Sequence, residues 1–259
     1  MDDIRVTGLS KSFPLQGSAL QVLSGLDMQL DQGKITVLLG KSGCGKTTLL
    51  RILAGLETLD CGEISVPAGD RVGVIFQEPR LMPWLSVEEN IAFSDMERRL
   101  LPTRLAELIK LVGLQGFEQA KPRQLSGGMQ QRVALARALA YEPEWLLMDE
   151  PFSALDYFTR RTMQEELLRV QQKEQKGIFL VTHHLDEALY LADRILLLQR
   201  GKISKTYDLP ERSCERDLMG KEMLMMKEQI LKEMDDEDRK ENDLCAAGSA
   251  FTHGTQCLR

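Results

Sequence analysis

Ile35 to Leu39 is a near-continuous apolar run that ends in Gly40-Lys41-Ser42-Gly43-Cys44-Gly45-Lys46-Thr47, and helical patterning continues from Thr48 to Leu53. A run of that length suits a strand buried on both faces, as strands of parallel sheets are. The glycines allow the chain to turn sharply where it leaves the strand. The unit is therefore strand, loop, helix, and it commits the chain to an α/β core. The rest of the chain agrees. Trp145 to Met148 and Ile178 to Thr182 read as further buried strands, separated by an amphipathic helix over Thr159 to Gln175 with Met163, Leu167 and Val170 on one stripe and Gly177 as its stop. Alternation of this kind implies a mainly parallel sheet with helices between its strands.

Around this core the first thirty residues read as β-structure, with Asp31-Gln32-Gly33-Lys34 as a turn. Residues 85–140 carry apolar positions at helical spacing in Val87 to Phe93, Leu100 to Leu111 and Met129 to Ala140, which suggests a helical side lobe. Arg194 to Leu198 and Lys202 to Ser204 flank Arg200-Gly201 as a closing hairpin. Past residue 205 the patterning weakens. Glu222 to Met234 fits one helix, while Asp235 to Asp243 is nearly all charge and reads as solvated or disordered. The expected division is a main domain over 1–205 and a charged extension over 206–259.

Gly40 to Thr47 matches G-x-x-x-x-G-K-[ST] between a buried strand and a helix, the setting in which such a loop cradles phosphates. Backbone N–H groups from Gly40, Lys41, Ser42, Gly43, Cys44 and Gly45 can turn inward, and the helix start at Lys46, Thr47 and Thr48 adds partial positive charge. Lys46 can reach the β- and γ-phosphates, and the Thr47 hydroxyl can ligate Mg²⁺. Asp149 and Glu150 end the second buried strand. Ligands of open α/β sheets bind at such strand ends. Asp149 is the natural partner of Mg²⁺, and Glu150, pointing differently, can polarise an attacking water. Ser126-Gly127-Gly128-Met129-Gln130 precedes a clear helix, which Ser126 can cap.

Those three segments, taken in chain order, resemble the phosphate loop, signature and acidic pair of the ATP-binding-cassette ATPases over residues 1–205. The resemblance implies the P-loop NTPase fold, with an N-terminal antiparallel β part and a helical subdomain. It implies ATP and Mg²⁺ as cofactors, and places further roles residue by residue. Phe13 stands where an aromatic stacks on adenine, although tyrosine is usual there. Gln77, after the apolar Val72 to Phe76 stretch, corresponds to a glutamine that contacts Mg²⁺ and water and couples to the membrane partner. Ser153-Ala154-Leu155-Asp156 corresponds to the loop between subunits, and His183 to the switch histidine at the γ-phosphate. His184 receives no catalytic role. Ser126, Gly127, Gly128 and Gln130 would face the nucleotide of a second copy, so a homodimer is implied.

Gln77 to Val87 contains Pro79, Pro83 and Trp84. Its wording is similar to importers of nitrate, sulfonates and taurine, and implies a separate permease and, indirectly, a solute-binding protein. Trp84 either docks on that permease or belongs to the core of the side lobe. Composition narrows the remaining classes. A net charge of −6 does not suit a nucleic-acid backbone, and no apolar run reaches the roughly 20 residues of a membrane span. The start lacks a secretory signal, and five cysteines without a C-x-x-C pair suit reduced thiols. The expected place is the cytoplasmic face of the membrane, through the permease. Two other readings stand beside this one: a cassette ATPase of translation or DNA repair, and a regulatory ATP binder without hydrolysis.

Overall fold

The computed structural model describes residues 3–15, 18–93, 100–153, 155–210, 216 and 218–249, with the backbone alone over 236–249. Ala154, Cys214 and Cys257 lie outside the described residues. The chain divides into two compact units, Met1–Glu211 and Arg212–Arg259.

Among its described residues the first unit holds a three-stranded sheet and a six-stranded sheet. In the smaller sheet β1 (Ile4–Leu15) pairs antiparallel with β2 (Ser18–Leu30) and β4 (Cys61–Ser65). Ile4, Val6, Leu26, Met28 and Leu30 alternate inward, as a sheet with one covered face requires. The larger sheet is parallel through β5 (Val72–Ile75), β6 (Trp145–Asp149), β7 (Gly177–Thr182), β3 (Ile35–Leu39) and β8 (Arg194–Gln199). Only β9 (Lys202–Asp208) runs antiparallel, as the second arm of the expected hairpin. Every residue of β3, β6 and β7 is buried, which is why these segments read as apolar runs rather than alternations.

Helix α1 (Lys46–Leu53) contributes Leu49, Leu50, Ile52 and Leu53 to a core shared with both sheets, where Leu9, Leu23, Leu26, Leu38, Trp145 and Phe179 meet. The side lobe comprises α2 (Val87–Ala92), α3 (Pro102–Leu111) and α4 (Gly127–Ala140). Ser86 and Glu89 form a reciprocal capping box at the start of α2. Helix α5 (Tyr157–Glu174) joins β6 to β7, and α6 (Leu185–Leu191) joins β7 to β8.

One local expectation is corrected. Gly177 does not stop the helix before it. That helix ends at Glu174 with Gln175 in the left-handed conformation, φ 50°, and Gly177 is the first residue of β7. Its glycine answers to packing: a Cβ there would lie 2.4 Å from two ring atoms of Trp145. In the second unit the backbone is helical from Lys221 to Ser249 (α7), across the charged Asp235 to Asp243 stretch. Glu, Lys, Met and Leu dominate its first half and hold high helix propensity.

Candidate functional site

The strand registers decide where the chemistry collects. Leu39 pairs with Thr182 and Asp149 with Val181, while Ile75 pairs with Met148. The segments leaving these parallel strands therefore emerge at one edge of the sheet. They are the phosphate loop after β3, Glu150 after β6, His183 after β7 and Gln77 after β5.

Gly40 begins the loop because nothing larger fits. A Cβ there would stand 2.7 Å from the Leu198 carbonyl and 2.8 Å from Cys44 Sγ. Gly43 and Gly45 take φ of 83° and 106°, which L side chains rarely adopt. Gly45 caps α1 without a side-chain hydrogen bond, and the first turn carries no acid. The leading N–H groups of a helix have no intrahelical partner, so Lys46, Thr47 and Thr48 present amide donors and positive field to an anion. The buried Lys46 ammonium donates to the carbonyls of Gly40 at 2.8 Å and Lys41 at 2.7 Å, holding the loop curved. Ser42 is exposed and Lys41 half-buried. Cys44 packs its partly buried side chain against the core, as a small filler would.

Thr47 Oγ1 donates to Asp149 Oδ1 at 3.2 Å, so the hydroxyl and the carboxylate share one corner of the site. Burial raises the Asp149 pKa above the ordinary carboxylate value. The Thr47 bond and the charges of Arg51 and Lys46 act the other way, and Glu150 adds to the rise. A pair of neighbouring oxygen donors fits a hard cation that takes its other ligands from phosphate and water, as Mg²⁺ does.

Glu150 adopts φ 45°. Its N–H still donates to Val181 at 2.9 Å, continuing the ladder, while its carbonyl accepts from Ser153 N and Oγ at 3.2 and 3.0 Å. A left-handed non-glycine residue costs about 1 kcal/mol or more and is found where surroundings dictate it. Here the turn sets the Glu150 carboxylate against His183, with Oε1 2.8 Å from Nδ1. His183 is exposed and its ring centroid lies 4.0 Å from that of His184, whose pKa burial and the neighbouring charge of His183 push down.

Ser126 caps α4, accepting from Met129 N at 3.2 Å, and with Gly127 it is exposed. Gln130 Nε2 donates to the carbonyls of Pro122 and Leu125 at 3.0 and 3.3 Å. A Cβ on Gly128 would meet Leu155 Cδ2 at 3.0 Å. The start of α4 thus packs beside the loop of Ser153 and Asp156. Asp156 in turn caps α5 through Thr159 N at 3.1 Å, and hydrogen bonds from the Thr159 side chain and then its backbone lower the Asp156 pKa. Phe13 is half-buried on β1, and Gln77 is exposed.

The segment after Gln77 is held by residues the sequence reading passed over. Arg137 donates to the carbonyls of Pro79 and Arg80 at 2.8 and 2.9 Å, and Gln131 to that of Phe76 at 3.3 Å. Asn90 accepts from Met82 N at 2.8 Å and donates to Met82, Leu85 and Ser86 carbonyls. Polar side chains within otherwise apolar helices signal such partners, since buried polar groups must be satisfied. Trp84 stands out from this frame at 68% exposure, so it is not core of the lobe.

Comparison with known proteins gives a consistent family. The family model described as ABC transporter matches residues 23–153. An uncharacterized ABC transporter ATP-binding protein of Methanocaldococcus jannaschii is 44% identical over 248 residues, covering 90% of this chain and 92% of that protein. The aliphatic sulfonates import ATP-binding protein SsuB 1 of Pseudomonas syringae pv. syringae is 52% identical over 189 residues, covering 73% and 79%. SsuB of Bacillus cereus is 44% identical over 215 residues, covering 79% and 85%. Among solved structures, a dimeric post-hydrolysis state of an ATP-binding cassette bound to ADP and Pi superposes with a TM-score of 0.74 at 28% identity, over 80% of this chain and 99% of that one.

Proposed function

This chain belongs to the ABC transporter family, and from that premise we propose that it is the ATP-hydrolysing subunit of an importer for aliphatic sulfonates, driving a separate permease from the cytoplasmic face of the membrane. ATP binding and hydrolysis are the family's chemistry. The sulfonate branch rests on the identity to SsuB proteins, and none of the described helices is long and apolar enough to cross a membrane. The observation that carries the enzymatic part is the meeting of the Lys46 loop, the Thr47–Asp149 pair and the Glu150–His183 pair at one sheet edge.

In this reading Lys46 and the first amides of α1 compensate the phosphate charge. Phe13 stacks on the adenine. Thr47, Asp149 and Gln77 would hold Mg²⁺, which when bound supplies charge neutralisation at the phosphates. Glu150 orients and polarises the attacking water, and His183 keeps the Glu150 carboxylate in place while reaching the γ-phosphate. Hydrolysis needs all of these, and their presence together argues against a purely regulatory binder. Ser126, Gly127, Gly128 and Gln130, with the adjoining Asp156, cap the nucleotide held by a second copy, so the working unit is a homodimer. Closure on ATP and reopening after hydrolysis is a domain motion of known type, and Trp84 on its braced segment passes it to the permease.

The test is transport. Membrane vesicles carrying this chain and its permease, supplied with ATP and the solute-binding protein, are expected to accumulate a labelled alkanesulfonate and to ignore nitrate. Preference for nitrate would move the chain to another importer branch. No uptake of any solute, with ATPase activity intact, would defeat the importer reading.

A further inference from the structure

Lys11 is a buried charge to which the mechanism above assigns no task. It lies on β1 at 6% exposure, with Nζ 2.9 Å from Glu57 and 3.4 Å from Asp60. Both acids belong to the stretch that leaves α1, the helix whose start is the phosphate cradle. Asp60 also accepts from Ser12 N at 2.7 Å, and its own N–H donates to the Ser10 carbonyl at 2.9 Å. The strand around Lys11 is thereby stitched to the far end of the phosphate helix. An ammonium taken out of water needs paired carboxylates to remain charged, and the Glu57 hydrogen bond raises the Lys11 pKa accordingly.

That ion pair alone would make Lys11 a structural tie. Its second contact is the informative one. The ammonium stands over the Phe13 ring, 5.1 Å from the centroid. A cation within about 6 Å of a ring centroid is attracted to its face. One face of Phe13 is thus held by a charge that is itself anchored at the far end of the phosphate helix. Phenylalanine lacks a hydroxyl that could hold its plane through a hydrogen bond, and the cation supplies a directional contact instead.

We propose that Lys11 is a positioning residue for nucleotide binding. Anchored by Glu57 and Asp60, it sets the Phe13 ring at a defined place relative to Gly40–Thr47, so that base and phosphates of one nucleotide are met together. The inference rests on the reading of Phe13 as the adenine platform.

The test compares ADP with inorganic pyrophosphate, both with Mg²⁺, by calorimetry on the full chain. Lys11→Met is expected to weaken ADP binding by about fivefold to tenfold, the scale of a cation–π contact, and to leave pyrophosphate binding unchanged. Lys11→Arg is expected to restore ADP binding. Glu57→Gln, at a more accessible position, is expected to show a smaller loss of the same selective kind, and it decides the matter if Lys11→Met does not fold. Equal weakening of both ligands, or none, in these variants overturns the proposal. Phe13→Ala separates the two levels of the argument. If it shifts the ADP to pyrophosphate ratio while the Lys11 and Glu57 variants do not, only the role of Lys11 falls. If it leaves the ratio unchanged, the platform reading falls, and the role of Lys11 with it.

Discussion

Glu150 and His183, 33 positions apart, face each other with Oε1 2.8 Å from Nδ1 because β6 and β7 are parallel neighbours whose ends coincide. The left-handed turn at Glu150 separates its carboxylate from that of Asp149, giving adjacent acids different partners. Replacing Glu150 by Gln keeps the shape and the His183 contact but removes the proposed base. Hydrolysis is expected to fall by about 10²-fold or more, with ATP binding retained and a nucleotide-bound dimer trapped. Phosphate release and gel filtration with ATP check both parts, and unchanged turnover would place the base elsewhere.

Lys46→Ala separates binding from chemistry in the other direction. The ammonium holds the carbonyls of Gly40 and Lys41, and in the proposed mechanism it also offers its charge to phosphate. Its removal is expected to abolish productive nucleotide binding, because the loop loses both its brace and its charge compensation. Wild-type affinity for ATP in this variant, measured by calorimetry, would contradict the cradle.

Asp149 has the opposite relation to stability and function. Its folded-state pKa lies above the ordinary value, with burial the leading cause. A carboxyl raised in this way favours the fold most when protonated, and that contribution is lost as pH rises through the folded-state pKa. Asp149→Asn is therefore expected to melt higher than the wild type at neutral pH in the absence of nucleotide and magnesium, and to lose Mg²⁺-dependent hydrolysis. The melting difference should shrink as pH falls toward the range where Asp149 itself becomes neutral. A variant that melts lower throughout would show that the charge is not disfavoured in the folded state.

Much of this site was legible because each element carries its own local chemistry. A glycine-rich loop after an apolar run, or paired acids at the end of another, needs no tertiary knowledge to be noticed. The buried strands declared themselves for the same reason, since both faces are covered and their sequences are almost wholly apolar. What escaped was whatever depends on a distant partner. Cys61–Ser65 is an exposed edge strand with little apolar content, and only its pairing with β1 defines it. Arg137 and Gln131 look like ordinary polar helix positions until the carbonyls of Phe76, Pro79 and Arg80 arrive beside them. Lys11 reads as one charge among many until Glu57 and Asp60 are placed against it.

Trp84 tests the surface assigned to the permease. The residue is 68% exposed, and Lys121 donates to its backbone carbonyl at 3.0 Å. Removing the ring should leave the segment in place, because Asn90 and Arg137 grip it through backbone groups. Trp84→Ala is expected to change stability by no more than about 0.5 kcal/mol, keep the ATPase activity of the isolated chain, and co-purify poorly with the permease. An insoluble variant, or one that binds the permease as before, would remove Trp84 from the docking surface.

Gly177 offers a test of the core that supports the site. Its φ is not left-handed, so a side chain would meet no backbone objection. The obstacle is the Trp145 ring, three atoms of which lie 2.4–2.8 Å from where a Cβ would stand. Trp145 is fully buried, and its Nε1 donates to Asp70 at 3.1 Å, so the ring cannot swing aside without giving up that bond. Gly177→Ala must then push β7 away from β6, the pairing that carries Asp149 to Val181 and Glu150 to His183. Overpacking of this kind costs about 1–3 kcal/mol. Denaturant melts should show that loss, and hydrolysis should fall further than nucleotide binding, since Lys46 and its loop stand on β3 while the Glu150–His183 pair spans the displaced strands. Wild-type stability in Gly177→Ala would mean that the ring has room to move and that the register of β6 and β7 is set elsewhere.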